Sequence, residues 1–465
     1  MGARNVRSTG RLLLALAAAW TVGAAEPPFV VGVNTHFIQH KGVLTANLSL
    51  IRQAGVSAIR DSLGLRSMES ANGQLAMPAE YDEYVNQAVA QGIEVLAILG
   101  GGRPSSAQDL ESLARYCEFV ARHFKGKVRM YELFNEFDAP SRTTGIRGSP
   151  EDYAKILKAV YRRMKTIDPS IIIFGGGMTS QAFHSGWMES LLRTGALENM
   201  DAISVHPYRN LHGTFYDRSP ESWAESMGQI GALIRKYSGG KEVPLYITEM
   251  GWPGQSGIGV PPDIAAAFLT RMFLLARTMP FLRGIWWYDF QDDGWSPLYR
   301  EHNFGTVRAD LTPKPAYFAM ADITGLVRHA ECLGWVETKD PDIRVLKFRQ
   351  PDGKDVWALW STHENDSWQV TLRTSQPAPK PALVQLVGRK ANLREWGTRD
   401  WVDPDPKCAS SQCWGLADAP LVPQQLTVVV REMPWLVEGN LTGVTVTDIQ
   451  RREFPDYTHP AQPPQ

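Results

Sequence analysis

Between residue 30 and about residue 325 the chain alternates short, unbroken apolar runs with longer amphipathic stretches. The runs are Val30–His36, Ser57–Ser62, Ile93–Leu99, Val128–Asn135, Ile171–Gly175, Asp201–His206, Pro244–Glu249 and Gly284–Asp289. Because they do not alternate with polar positions, they read as strands of a parallel sheet covered on both faces. Helical spacing fills the intervals at Tyr81–Gln91, Ala107–Phe124, Glu151–Thr166, Ser222–Tyr237 and Asp263–Ala276. Ser149-Pro150-Glu151-Asp152 offers a helix cap, a first-turn proline and early acids. Eight strand–helix units predict an α/β fold, a (β/α)8 TIM barrel, over the five or six units of a doubly wound sheet.

The texture changes after the helix that follows Lys314-Pro315-Ala316-Tyr317. Short β-rich runs succeed one another at Ile343–Phe348, Val356–Ser361, Gln369–Leu372, Leu383–Val387 and Leu426–Val430, with turn signals at Pro351-Asp352-Gly353 and Asn365-Asp366-Ser367. This predicts a C-terminal antiparallel β-sandwich. The expected division is a barrel over 26–326, a sandwich over 327–437 and a loosely held tail over 438–465, which ends in Pro460-Ala461-Gln462-Pro463-Pro464-Gln465.

At the other end, Arg4, Arg7 and Arg11 precede an apolar run from Leu12 to Ala25 that closes on Gly23-Ala24-Ala25. A basic start, a short apolar stretch and small junction residues read as a signal peptide over 1–25, so the protein is expected to be secreted or periplasmic. The run is short for a membrane span, and no other stretch reaches the length of one. Loss of 1–25 removes three arginines and no acid, taking the formal charge from -1 to -4.

A chain with 48 basic and 49 acidic residues lacks the basic excess that nucleic acid requires. Cys408 and Cys413 predict a small local disulfide, while Cys117 and Cys332 are expected as free thiols. No CxxC, HExxH or phosphate-binding glycine pattern occurs; the Phe174-Gly175-Gly176-Gly177-Met178 run matches none, so no metal and no cofactor is expected. The 15 tryptophans exceed the 10 histidines, and eight of them lie between Trp335 and Trp435, where packing is the favoured explanation.

Catalytic groups of a (β/α)8 barrel sit at the C-terminal ends of its strands. Two glutamates stand there: Glu136, closing the fourth strand after Phe134-Asn135, and Glu249, closing the seventh before Met250-Gly251-Trp252. Cleavage of a glycosidic bond needs such a pair, a proton donor for the leaving oxygen and a charged partner for the anomeric carbon. Carboxyls ~5–5.5 Å apart retain configuration through a covalent intermediate, and wider spacing admits a water and inverts it. Glu132 shares strand parity with Glu136 but lies deeper, where a structural role is expected.

Phe134-Asn135-Glu136 and Thr248-Glu249-Met250-Gly251-Trp252, set in eight such units, resemble the glycoside hydrolases of clan A. His206-Pro207-Tyr208, Trp286-Trp287-Tyr288-Asp289, Phe304-Gly305 and the trailing sandwich make the resemblance greatest to family 39, in particular its exported bacterial members that cleave exopolysaccharide. The resemblance implies Glu136 as acid/base, Glu249 as nucleophile and Asn135 as donor to the neighbouring sugar hydroxyl. Arg60 and Tyr208 would hold Glu249 ionised, and His206 would order the polar floor. His36 is a further substrate contact, and Trp286 and Tyr288, which share one strand face, form a sugar-stacking platform. The implied activity is retaining hydrolysis of a polysaccharide or oligosaccharide, endo-acting on exopolysaccharide. The alternatives are a carbohydrate-binding barrel without catalysis, or a transglycosylase using the same glutamates. Oligomeric state leaves no mark in the sequence.

Overall fold

The computed structural model describes residues 27–452, apart from 142–143, 210, 364–365, 375–382, 388–393 and 396–424. The expected signal segment and the Cys408–Cys413 disulfide lie outside the described residues. Eight parallel strands close a barrel in sequence order: β1 (Val30–Asn34), β2 (Ala58–Ser62), β3 (Glu94–Leu99), β4 (Met130–Leu133), β5 (Ile172–Thr179), β6 (Ala202–His206), β7 (Leu245–Met250) and β8 (Leu282–Trp287). The predicted helices are present with ends shifted by one or two residues; Pro150–Ile167 starts where expected, with the Ser149 hydroxyl accepting from the Asp152 amide at 3.1 Å.

Strand alternation sorts the barrel interior into layers. At the base, Ala58, Leu96, Met130, Phe174, Ala202, Tyr246 and Trp286 pack into an apolar plug. Gly32 on β1 leaves the room that the Trp286 indole fills, since a Cβ there would lie 2.3 Å from the ring. Two residues further along the strands the inward positions become polar: Asn34, Arg60, Glu132, Ser204 and Thr248, all buried. The opposite parity faces the helices and forms the main core, with Val33, Ile59, Ala97, Leu133, Ile173, Ile203, Ile247 and Trp287.

The last barrel helix, Pro315–His329, runs past the expected boundary, and the second unit starts at β9 (Glu331–Trp335). It continues through β10 (Ile343–Arg349), β11 (Asp355–Ser361), β12 (Ser367–Thr374), β13 (Leu383–Leu386), β14 (Arg394–Glu395), β15 (Gln425–Val430), β16 (Trp435–Gly439) and β17 (Val444–Arg452). A six-stranded sheet of order β14-β13-β16-β11-β10-β9 faces a three-stranded sheet of order β15-β12-β17. The expected tail from 438 is corrected up to Arg452, since β17 pairs antiparallel with β12 from Val444↔Thr374 to Arg452↔Ser367; residues 453–465 lie outside the described residues. A bulge at Thr371/Leu372 brings both Val446 and Ile449 onto the sandwich core.

Both faces of the larger sheet are apolar. Val345, Trp357, Leu359 and Val437 face the smaller sheet, whereas Leu346, Phe348, Val356, Ala358 and Trp360 join the barrel core. Trp357, Trp360, Trp368 and Trp435 are thus packing residues, and Trp396, Trp401 and Trp414 lie outside the described residues. Cys117 is a buried free thiol, and Cys332 is free and half-buried.

A polar tie crosses the seam between the units. Arg271, on the helix Pro262–Ala276, is fully buried and donates through Nε to Glu221 Oε1 at 3.1 Å. The same oxygen accepts from the Trp360 indole at 2.9 Å. Glu221→Ala leaves the guanidinium buried without a counter-charge and is expected to cost roughly 3–5 kcal/mol of unfolding free energy. Urea denaturation followed by tryptophan fluorescence checks the loss.

Candidate active site

The polar layer above the plug is organised by Arg60. Its Nε donates to Glu132 Oε2 at 2.7 Å, Nη1 to Glu249 Oε1 at 2.7 Å and to Asn34 Oδ1 at 2.8 Å, and Nη2 to Asn135 Oδ1 at 2.7 Å. Burial works against this charge, but the Glu132 and Glu249 carboxylates outweigh it and raise the guanidinium's pKa further. Arg60 therefore does not pair with its neighbour Asp61. Asp61 points to the other face and accepts from Thr35 Oγ1 at 3.0 Å and the Phe37 amide at 2.7 Å, with burial pushing its carboxyl up to about 6.

Glu249 has a second partner, the Tyr208 hydroxyl, which donates to Oε2 at 3.1 Å. Burial, then the Glu249 charge, holds that phenol's pKa well above its ordinary value, so it remains a donor. Both oxygens of Glu249 are thereby fixed. A register irregularity between Ile247 and Met250 at the end of β7 accompanies this placement.

Glu136 stands on a strained turn. Phe134 and Glu136 both have positive φ, at 63° and 52°, a region that side chains with a Cβ enter at a cost. The turn is held by β5: the Glu136 amide donates to the Gly177 carbonyl at 2.9 Å, and the Gly177 amide to Ser204 Oγ at 2.7 Å. Gly177 sits at φ +53°, and a Cβ there would lie 2.9 Å from the Phe134 carbonyl oxygen. The glycine run of β5 thus cradles the backbone of the Glu136 turn. Thr179, at the end of the same strand, braces Asp138 through its amide at 3.0 Å and through its hydroxyl.

His206 links the two carboxylates. The Thr248 hydroxyl gives its single hydrogen to Glu132 Oε1 at 2.7 Å, so its oxygen is the acceptor for His206 Nε2 at 3.1 Å. Nε2 is therefore protonated, and Nδ1 faces Glu136 Oε1 at 3.2 Å and Glu249 Oε2 at 3.7 Å. Burial disfavours the charged ring, but Glu249 and the Glu136 bond together raise its pKa, against the opposing Arg60 charge. Nδ1 and Glu136 Oε1 thus meet in one hydrogen bond.

These groups open into a cleft of about 730 Å³, whose walls include Glu136, Glu249, Asn135, Tyr208, Tyr288, Phe304 and His36. Of the residues singled out from sequence, Arg60, Asn135, Glu136, His206, Tyr208 and Glu249 converge in one network. His36 lies on the wall, bonded to Asp293 at 2.9 Å. Tyr288 lies there too, edge-on to Phe304 with centroids 5.1 Å apart. Trp286 is corrected: it faces the barrel axis as parity predicts, but it is fully buried in the basal plug and offers no stacking surface. Sequence reasoning missed Phe304 as a wall residue and Thr248 as the link to His206; the inward parity of Tyr246 and Thr248 on β7 carried the second signal.

A cation among Glu136, His206 and Glu249 is disfavoured although their ligand atoms lie within 4.8 Å of one another. The Arg60 guanidinium already supplies positive charge 2.7 Å from Glu249.

No family sequence model matches the chain, and no curated protein sequence matches it. Solved structures do. A family 39 glycoside hydrolase from Bacteroides cellulosilyticus WH2 superposes with a TM-score of 0.67 at 24% identity, covering 89% of this chain and 81% of that one. A GH39 enzyme from Xanthomonas axonopodis pv. citri gives 0.59 at 15% identity over 89% and 94% of the two chains. A GH30 endoxylanase from Clostridium papyrosolvens C71 gives 0.58 at 12% identity over 89% and 97%. The likeness spans barrel and sandwich together and establishes the shared fold.

Gly177→Ala is expected to lower stability by about 1–3 kcal/mol through backbone strain. Gly239→Ala, at φ +66° in open space, is the control for conformation alone. Thermal unfolding of both variants separates the close contact under the Glu136 turn from the cost of positive φ.

Proposed function

We propose that this chain is a retaining glycoside hydrolase of the clan A type, acting on a polysaccharide or oligosaccharide. The observation that carries the reading is the pair of carboxylates at the ends of β4 and β7. One oxygen of Glu136 and one of Glu249 lie within 4.8 Å of each other, with the His206 ring between them. That proximity supports direct attack by a carboxylate, since inverting pairs stand ~6.5–9.5 Å apart to admit a water.

In this reading Glu136 gives its proton to the glycosidic oxygen while a Glu249 oxygen bonds to the anomeric carbon. The C–O bond breaks, the alcohol leaves, and a glycosyl ester of Glu249 remains. Glu136, now a carboxylate, takes a proton from water. The water oxygen displaces Glu249 and releases the sugar with its configuration retained. The hydrogen bond to His206 Nδ1 orients Glu136 for the first role, and its placement on the partly open side of the site supports the second. Arg60 and Tyr208 hold Glu249 in one orientation, so little motion is needed at the moment of attack. Asn135 spends its carbonyl on Arg60, which leaves its amide hydrogens for the sugar hydroxyl beside the reacting carbon.

The cleft walls support recognition by rings and hydroxyl contacts more than by charge. Arg103 donates to the Phe137 and Ala139 carbonyls at 2.7 Å each, and Arg147 to the Asp138 carbonyl at 3.2 Å, so both are spent on bracing loops. The loop after β8 exposes Trp295, Leu298 and Tyr299 next to the wall residues Arg300 and Glu301. Apolar surface continuing beyond the reacting position suits a chain of several sugars and supports internal cleavage. The basic-then-apolar N-terminus supports export, and exopolysaccharide is the substrate class that export and an extended cleft favour together.

Glu249→Ala and Glu136→Gln are each expected to reduce turnover by about a thousandfold or more on defined glycans. NMR of the first product should show the configuration of the cleaved bond retained. Near-normal turnover in either variant, or an inverted first product, rules the mechanism out. Fragment sizes from an intact polysaccharide separate internal cleavage from trimming at chain ends.

A further inference from the structure

The four residues that follow the cis Tyr288-Asp289 bond include two more acids, and the three carboxylates are not equally provided for. Asp292 Oδ1 accepts from Lys314 Nζ at 2.6 Å and from the Gly305 amide at 2.9 Å. Asp293 Oδ1 meets His36 Nδ1 at 2.9 Å, while its backbone carbonyl accepts from Lys41 Nζ at 2.9 Å. Asp289 is 1% exposed, and among the described residues neither of its oxygens has a hydrogen-bond donor. The His36 ring stands beside it, with Nδ1 3.7 Å from Asp289 Oδ2 and 2.9 Å from Asp293 Oδ1.

A carboxylate removed from water without a donor is costly, and it is relieved either by keeping a proton or by meeting a cation. We propose that His36, Asp289 and Asp293 form a divalent-cation site on the wall of the cleft. His36 Nδ1 and one oxygen from each aspartate lie within 4.8 Å of one another, so small side-chain shifts bring all three to ~2.0–2.2 Å from a single ion. The ligands are held in place before any ion arrives. β1 and β8 pair at Val33↔Trp287, and the Phe290 amide donates to the Asn34 carbonyl at 3.0 Å, so the two strand ends that carry them are bonded together.

The same donor set recurs at Glu136, His206 and Glu249, and the comparison separates the two places. There Arg60 already occupies the position of the cation. At His36 the described contacts include no guanidinium; Lys41 bonds the Asp293 carbonyl and leaves the carboxylates facing inward. One imidazole with two carboxylates suits zinc or manganese better than calcium, which takes six or more oxygens. The ion replaces the hydrogen on Nδ1 and confines the remaining ring hydrogen to Nε2. His36 lines the cleft, edge-on to Tyr288 at 5.6 Å, so the bound ion would fix a donor on the substrate wall.

The test uses tag-free full chain stripped with a chelator and titrated with Zn²⁺ and with Mn²⁺ alone, read by calorimetry and by thermal unfolding. One ion per chain is expected, with a higher Tm. Asp289→Asn and Asp293→Asn should each weaken binding by about 100-fold while the metal-free Tm stays near that of the parent. Asp293 lies nearer the surface, so its variant keeps the test open should Asp289→Asn fail to fold. Glu136→Gln should bind the ion as the parent does, which separates this site from the glycosidase reading. No stoichiometric binding at millimolar metal, parent-like affinity in the Asp293 variant, or loss of binding in Glu136→Gln overturns the proposal.

Discussion

A guanidinium withdrawn from water holds the centre of this protein together. Arg60 is almost wholly buried, and it is tolerable there because two carboxylates and two amide oxygens receive its hydrogens. Those acceptors come from three strand ends: Asn34 from β1, Glu132 and, just beyond it, Asn135 from β4, and Glu249 from β7. Removing any one would leave a buried charge short of a partner, a larger penalty than the bond itself is worth. The ion pairs therefore act mainly as a geometric clamp, which fixes Glu249 and turns the Asn135 amide toward the cleft.

Glu136 is placed by a different device, backbone conformation rather than charge. Positive φ at Phe134 and Glu136 is a cost that β5 underwrites, because only glycine lets its backbone approach closely enough to accept the Glu136 amide. His206 connects the two devices. Its Nε2 is tied through Thr248 to Glu132, the same carboxylate that anchors Arg60, and its Nδ1 meets Glu136. Glu136 is thus linked through three side chains to the clamp under Glu249.

Several features were legible before any coordinates. Glu136 and Glu249 could be found because a parallel barrel puts its reactive groups at strand ends, and acids at the end of an apolar run are conspicuous. Glu132 was rightly placed deeper by parity. Trp286 shows where parity stops: period two gives the face of a strand but not the depth, and Gly32 opposite it let the ring sink into the plug. Strand β17 carries Val444, Val446 and Ile449, a pattern that breaks step because β17 itself bulges, with Thr447 the extra residue opposite Thr371 and Leu372 of β12; beside a proline-rich end, that slip concealed a strand. Phe304 could not be placed from spacing, since it reaches the wall by a loop.

By itself the sequence determined the eight-unit barrel, the second β unit and the two acidic strand ends, because burial on both faces of a sheet leaves a one-dimensional record in apolar runs. Only the tertiary structure decided which polar atoms meet. The partners of Arg60 span positions 34 to 249, and β1 and β8 bring His36 beside Asp289, which has no donor among the described residues. Hydrogen-bond partners chosen across the barrel mouth leave no period in the chain, so the chemistry of the floor is set by closure and not by spacing.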